Sequence, residues 1–364
     1  YTQTGTGSTV MNYGSVLNGT GAANLDGNLT MLGTAPSVGK YSVLTGNGVS
    51  GTYSTYNGVG VLKYSPTEVQ IWVMPNGTIV QGQVNAVANS MNGMNALAAN
   101  VMNSALGSDC GSFGEKGGCL SVNYGSSKVG SGDLNSTGVT VVKSIDDNWR
   151  VGLFGNQQLG SPSVGDIKYT NNTPSVGAIV GWNKNSNGAG LGVTLSAITG
   201  SGDYTIGTDK TGVNSKAVQA KVSYSEPIND DTTVTPYAGI RYSEFKVNGY
   251  TEQGPVFPLT FGAVNQNATD LIAGVGVAHK INDKLTGTAN AGVVQNLSYN
   301  AGKVSATSDM GNFNTPLQGG NYTSAAIGAG LSYEIAKGQK IGVSAGWQQR
   351  SLTDANITSY GINY

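Results

Sequence analysis

Apolar residues recur along the chain in three successive patterns. From Tyr1 to about Met74 they form very short alternations broken by Gly and Asn: Leu25, Leu29 and Met31 in one, Tyr41 and Val43 in another, Val69, Ile71 and Val73 in a third. Strands this short are too small for a globular sandwich and suit the stacked rungs of a parallel β-helix, although no strict repeat is present. From about Gly77 to Gly107 the period changes. Val80, Val84, Val87, Met91, Met94, Ala98, Val101 and Ala105 recur at spacings of four and three, a helical stripe, while Asn85, Asn89, Asn92, Asn100 and Asn103 lie mostly off it. A helix of about 28 residues extends ~42 Å, somewhat more than the hydrocarbon core of a bilayer.

From Cys119 to Tyr364 the period is two. Leu191, Val193, Leu195 and Ala197 alternate with Gly192, Thr194 and Ser196; Val218, Ala220, Val222 and Tyr224 with Gln219, Lys221 and Ser223; Ile341, Val343, Ala345 and Trp347 with Gly342, Ser344, Gly346 and Gln348. One face is apolar and the other small or polar. Twelve such runs begin near residues 119, 135, 148, 174, 188, 213, 232, 268, 284, 322, 339 and 354. At roughly twenty residues per strand and connection, twelve strands fit and sixteen would leave too little for loops. The connections after runs two, four, six, eight and ten are short, such as Asp146-Asp147-Asn148 and Asn282-Asp283. Those after three, five, seven and nine are long, for example Gly249 to Asn267 and Asn300 to Asn321; the last, near Ser351, breaks the pattern. Short turns on one rim and long loops on the other are the signature of an outer-membrane barrel, with the short rim periplasmic. An even strand count puts the start of the first strand on that rim. The helix leading into it then ends on the periplasmic side, and it threads the barrel if residues 1–76 emerge outside the cell.

Composition sharpens this picture. Glycine supplies 56 of 364 residues, while charged residues make up 11%, less than half the usual share. The 19 basic and 20 acidic side chains nearly cancel, so no basic surplus exists to neutralise nucleic-acid phosphate. Between Glu68 and Asp109 there is no charge at all. An amphipathic helix on a soluble domain normally carries Lys and Glu on its outer side; a polar, uncharged one suits a confined, wet place such as a pore. No run of eighteen apolar residues makes a transmembrane helix, which leaves a barrel open. No signal peptide precedes Tyr1, as in a cytosolic protein or the mature form of an exported one. Cys110 and Cys119, the only cysteines, read better as a local disulfide in an oxidising compartment than as two free thiols.

Two stretches carry a family resemblance. Residues 234–254, VTPYAGIRYSEFKVNGYTEQG, and residues 40–73, with KYSVLTGNGVSGTYST followed by LKYSPTEVQIWV, are similar to segments of the barrel and of the passenger end in monomeric autotransporters, the type V secretion proteins of Gram-negative bacteria. The C-terminal alternation of Tyr360, Ile362 and Tyr364 is similar to the insertion signal read by the barrel assembly machinery. The resemblance spans essentially the whole chain. It implies an all-β membrane protein: residues 1–76 the end of a passenger β-helix with an autochaperone-like region, 77–108 a pore-threading linker helix, 109–118 a periplasmic disulfide loop, and 119–364 a 12-stranded antiparallel outer-membrane β-barrel.

The function implied is a translocator that helps export its own N-terminal passenger to the cell surface, with the helix left as plug and tether. Outer-membrane lipid, the barrel assembly machinery, periplasmic chaperones and the passenger are the implied partners, around a monomeric barrel and with no nucleic acid. Some relatives release the passenger when an Asn side-chain amide in the helix attacks its own carbonyl. Asn85 and Asn95, each followed by Ala, are the formal candidates here, but the paired Asn-Asn of the best-known cleaving subgroup is missing. A persistent tether or release by an external protease are the other outcomes.

Alternation turns Tyr237, Gly239 and Arg241 inward, with Lys221 and Glu334, because a charge facing lipid near mid-membrane costs ~2 to 4 kcal/mol. These groups either hold the Asn-rich helix or fill a hydrated lumen; Tyr237 and Arg241 have the better claim because they lie within the family-like segment. Inward glycines, Gly274, Gly276, Gly328, Gly330, Gly342 and Gly346, either make room for a helix ~10 Å wide or ease strand coiling. His279 is the only histidine, so no Ser-His-Asp or Cys-His set forms. No metal-ligand cluster or phosphate loop is present, and no cofactor or enzymatic activity is expected. Two alternatives remain at this stage. A diffusion porin would draw further strands from residues 1–108 and conduct ions freely. A secreted β-helical adhesin would be soluble without detergent.

Overall fold

The computed structural model describes residues 1–107, 117–129, 132–186, 188–319, 323–349 and 357–364. Cys110, most of the expected periplasmic loop and the connection near Ser351 lie outside the described residues. The contacts divide the chain into two compact units.

The first unit comprises Tyr1–Gln83 with Glu252–Thr260 and Thr307–Phe313. Short strands stack in parallel: Asn28–Leu32 between Ser8–Asn12 and Thr55–Asn57, Ala23–Leu25 beside Val49–Gly51, and Leu17–Asn18 beside Gly39–Thr45. Together with Glu68–Val73 they bury one core of Leu25, Leu29, Met31, Val43, Leu44, Val69 and Ile71. Glu68–Val73 departs from the expected rung. It runs antiparallel to both Gly39–Thr45 and Val61–Tyr64. The reason is local: Ser65 N donates to Glu68 O at 2.8 Å, closing a tight turn around Pro66 and Thr67, and a turn that short can join only antiparallel strands. Burial pushes the Tyr53 phenol up to about 12, so it stays neutral inside this unit.

The second unit comprises Val84–Thr251, Phe261–Ala306 and Asn314–Tyr364. It holds twelve barrel strands: β1 (Gly118–Val129), β2 (Gly132–Ser144), β3 (Trp149–Leu159), β4 (Ser175–Asn183), β5 (Gly190–Ile206), β6 (Asp209–Pro227), β7 (Thr232–Val247), β8 (Val264–Lys280), β9 (Leu285–Asn300), β10 (Thr323–Ala336), β11 (Gln339–Gln348) and β12 (Ile357–Asn363). Each pairs antiparallel with the next. β12 returns to β1, from Asn123 opposite Asn363 to Lys128 opposite Thr358, and closes the barrel. The apolar residues of the alternation point out: Leu120, Val141, Leu153, Val176, Leu195, Val218, Ile327 and Val343 are all exposed, as strands facing lipid require.

One expectation about the barrel fails. The connection after the fifth strand is not a long loop; only residues 207 and 208 separate β5 from β6. The strands continue past the membrane, and there the hydrophobic phase inverts. Up to Ala197 the apolar residues of β5 face outward, whereas Ile198, Tyr204 and Ile206 are buried inside, with Thr199 and Ser201 outside. On β5, β6 and β7 the inversion follows one row of residues. Ala197, Val218 and Tyr242 lie side by side as the last apolar row, and Thr199, Lys216 and Glu244 form the next, with Lys216 Nζ 3.1 Å from Glu244 Oε2. An outward face takes its polarity from its solvent, so this step marks where lipid gives way to water. The long connection after β3 also has structure, a hairpin of Ser163–Val164 and Ile167–Asn172 whose second strand pairs with β5.

Candidate functional site in the barrel lumen

One helix, α1 (Gly77–Leu106), has no acidic residue in its first turn and no basic residue in its last. Asn76 caps it, accepting from Thr78 N at 2.8 Å. From Val84 onward it lies inside the closed barrel. Its earlier turns stand at the long-loop end, where Ser90 Oγ accepts from Asp166 N at 3.2 Å and Asn85 accepts from Thr315. Its last turn lies deeper, and the Leu106 carbonyl accepts from Ser196 Oγ at 3.1 Å. The direction is therefore from the long-loop rim toward the short-turn rim, where Gly118 begins β1.

Three kinds of contact hold it. Toward its C-terminal end Met102, Ala105 and Leu106 pack on Val142, Phe154, Ile179, Ile198, Ala217 and Phe245, all buried. Higher up the hairpin after β3 presses on it. A Cβ at Gly93 would meet Val164 Cγ1 at 2.6 Å, and one at Gly165, whose φ is +54°, would meet Ser90 Oγ at 2.2 Å. Glycine on each partner lets these backbones approach.

The third contact is polar. Asn95, 4% exposed, accepts from Tyr204 OH at 2.7 Å and donates to Gln266 Oε1. Gln266 Nε2 in turn donates to Asn92 Oδ1 at 3.3 Å and to Tyr299 OH at 3.1 Å, and Tyr299 OH donates to the Gln318 carbonyl at 3.2 Å. Beside this chain lies a cavity of about 100 Å³, lined by Asn92, Asn95 and Asn103 of the helix and by Arg241, Asp270 and Asn296 of the wall. Arg241 Nη2 lies 2.9 Å from Asp270 Oδ2, and Asn296 Nδ2 donates to Asp270 Oδ1 at 2.9 Å. Arg241 Nε, Asn296 Oδ1 and Asn103 Oδ1 are buried without a protein partner; polar cavities of this size are where ordered water satisfies such atoms.

The candidates read from sequence fall in different places. Arg241 lines the helix cavity. Lys221 Nζ stands 5.9 Å from the Tyr237 ring, and Tyr237 spreads over inward glycines: a Cβ at Gly274 or Gly292 would meet its hydroxyl at 2.5 or 2.8 Å. Gly274 thus makes room for a wall tyrosine rather than for the helix, and the nearest neighbours of Gly328, Gly330 and Gly346 are also strand atoms. Glu334 accepts from Gly338 N at 3.3 Å in the turn after β10, at the short-turn rim. Tyr360, Ile362 and Tyr364 are exposed on the outer face, and Tyr364 exchanges both backbone hydrogen bonds with Val122 at 2.9 Å across the closing seam. Cys119 is disulfide-bonded. Sequence reasoning missed Asp270, although it shares the inward face of Gly274 and sits directly opposite Arg241. It also missed Tyr204, hidden in the stretch taken for a loop. Among the described residues no group of three or more His, Cys, Asp or Glu could hold a metal.

A family model, the autotransporter beta-domain, matches residues 117–346, well over half of the chain. The chain belongs to this family. Its fold is similar to the translocator domain of autotransporter NalP from Neisseria meningitidis, with a TM-score of 0.50 and 16% identity, covering 79% of this chain and 99% of that one. The transport unit of the autotransporter AIDA-I from Escherichia coli follows at a TM-score of 0.47 and 13% identity, covering 77% of this chain and 97% of that one. None of the curated proteins compared with the chain matches it. The autotransporter β-domain described here is an outer-membrane translocator unit. Twelve strands around an occupied lumen distinguish it from the diffusion porin considered above, which would draw further strands from residues 1–108.

Proposed function

We propose that this unit exports the segment N-terminal to its helix and then retains it, with residues 1–76 displayed at the cell surface as the last rungs of a passenger β-helix. The observation that carries this is the Asn95 chain, which links the helix through Tyr204 to β5 and through Gln266 to β8. A helix held from two walls by directional bonds plugs the pore and tethers whatever precedes it. No enzymatic step is assigned to the unit. Both ends of the Asn95 amide are engaged in hydrogen bonds inside a regular helix, which favours a persistent tether over attack by that amide on its own carbonyl. Tyr360, Ile362 and Tyr364 suit recognition by the barrel assembly machinery, since they are exposed and complete the seam. A disulfide of Cys119 with Cys110, which periplasmic oxidation supplies, would close a short loop where the helix hands over to β1.

The test is conductance in planar bilayers, comparing the intact protein with one lacking residues 77–106. The intact protein should conduct poorly and the deleted one freely. Large and equal conductance in both overturns the plug. Mass spectrometry of protein recovered from outer membranes should show one uncleaved chain, and a break after Asn85 or Asn95 would establish self-release instead.

A further inference from the structure

The N-terminal unit includes two segments supplied from far downstream, Glu252–Thr260 and Thr307–Phe313, which belong to the connections after β7 and β9. Both deliver a side chain to one point on its last sheet, whose order is Leu17–Asn18, Gly39–Thr45, Glu68–Val73, Val61–Tyr64. Val69, Ile71 and Val73 face the rung core, and alternation leaves Glu68, Gln70 and Trp72 on the opposite side. That side carries a ladder of hydrogen bonds. Ser42 donates to Glu68, Gln70 Nε2 donates to Glu68 Oε2 at 3.0 Å, and Trp72 Nε1 donates to Gln70 Oε1 at 2.8 Å.

At the end of the ladder the indole meets Phe257 edge to face, with ring centroids 5.6 Å apart and planes at 64°. Lys40 Nζ lies 4.1 Å from the indole centroid and 5.2 Å from that of Phe257, and Asp309 Oδ2 is 4.0 Å from the same ammonium. Lys63 Nζ approaches the indole to 5.1 Å. Phe257 and Leu259 are 4% and 2% exposed. An indole flanked by two cations and by an aromatic edge is a specific arrangement, and its aromatic edge and carboxylate both come from the downstream segments.

The two segments therefore meet the face of the last sheet that points away from the rung core. We propose that residues 252–260 and 307–313 cap this face: they dock on Trp72 and Lys40, and the strands Gly39–Thr45, Val61–Tyr64 and Glu68–Val73 are protected only when they do. The proposal rests on the reading of residues 1–76 as the last-exported part of the passenger. Its consequence is that the end of the passenger completes its fold on residues contributed by the β-domain, so capping coincides with the end of export.

The experiment uses the full chain in intact cells. The rate of cleavage within residues 39–73 by added protease is measured for the parent, Phe257→Ala, Trp72→Ala and the double variant, with heat-modifiable mobility verifying that each barrel has formed. Proteolysis of a transiently opened segment tracks its opening equilibrium, so each single variant should raise the rate about tenfold. Because both remove the same contact, the double variant should exceed the larger single effect by less than about threefold. Single-variant rates within about twofold of the parent, or effects that multiply in the double variant, overturn the cap. Amide exchange of residues 39–45 and 68–73 in detergent-solubilised protein gives the same comparison if a variant reaches the surface poorly. An antibody against residues 1–38 separates the two readings: no binding to intact cells of the parent removes the surface placement, whereas normal binding with unchanged cleavage in Phe257→Ala removes the cap alone.

Discussion

The helix meets two unlike walls. Against β2 to β7 its last turns bury Met102, Ala105 and Leu106 on apolar side chains, while against β7 to β9 its asparagines bond Gln266 and face Arg241, Asp270 and Asn296 across a cavity. A polar wall exchanges hydrogen bonds with water at little net gain, so it is nearly indifferent to whether a helix is present. The apolar wall is not indifferent, since without the helix those side chains would face water. The dry side therefore sets the preference for an occupied lumen, and the wet side, through Asn95, sets the depth at which the helix comes to rest.

The largest effect should come from the dry wall. Phe245→Asp would leave an unpaired carboxylate against Met102 and Leu106, and burial of such a group is opposed by several kcal/mol. The helix should leave that wall, and single-channel conductance should rise toward the helix-deleted value. A conductance unchanged from the parent would show that the wet wall alone suffices.

This division was only partly legible in the sequence. The twelve strands were, because lipid imposes one phase of alternation for as long as a strand remains in the membrane; the stripe from Val80 to Ala105 likewise marked the helix. What escaped were the places where the solvent changes. Above Ala197 the phase inverts at Ile198, so a continuing strand reads as irregular, and Tyr204, which holds Asn95, vanished with it. The hairpin at Val164 was lost for the same reason. Arg241 was found from alternation, but its partner Asp270 lies on the next strand, and cross-strand register does not follow from a single strand's pattern.

The wet wall supplies the second effect. Replacing Arg241 by Met leaves Asp270 held only by neutral donors such as Asn296, and removing one partner of a buried pair destabilises by about 3 kcal/mol. The loss should appear as a lower urea midpoint in lipid vesicles. Arg241→Met combined with Asp270→Leu should recover most of it, within about 1 kcal/mol of the parent, because two apolar groups leave no orphaned charge. If the double variant is as unstable as the single, the pair serves something other than its own neutrality. Tyr204→Phe, which removes one donor to Asn95 and keeps the ring, should follow at about 1 to 2 kcal/mol. Its specific mark is faster amide exchange in residues 92–99 with the barrel strands unchanged.

The smallest effect belongs to the polar row on β5 to β7. Lys216 and Glu244 form a cross-strand ion pair whose side chains are 60% and 21% exposed; a pair so open to water contributes ~0 to 1 kcal/mol and is screened by salt. Lys216→Ala should therefore shift the unfolding midpoint barely, and less still at high ionic strength. Lys216→Leu tests position rather than pairing. If lipid ends at the row of Ala197, Val218 and Tyr242, an apolar residue one row higher gains no lipid contact and leaves stability as in Lys216→Ala. If the membrane extends over Lys216, the leucine variant should be more stable than the alanine one by about 1 kcal/mol, and the boundary drawn from the inverted phase would have to move outward by one row.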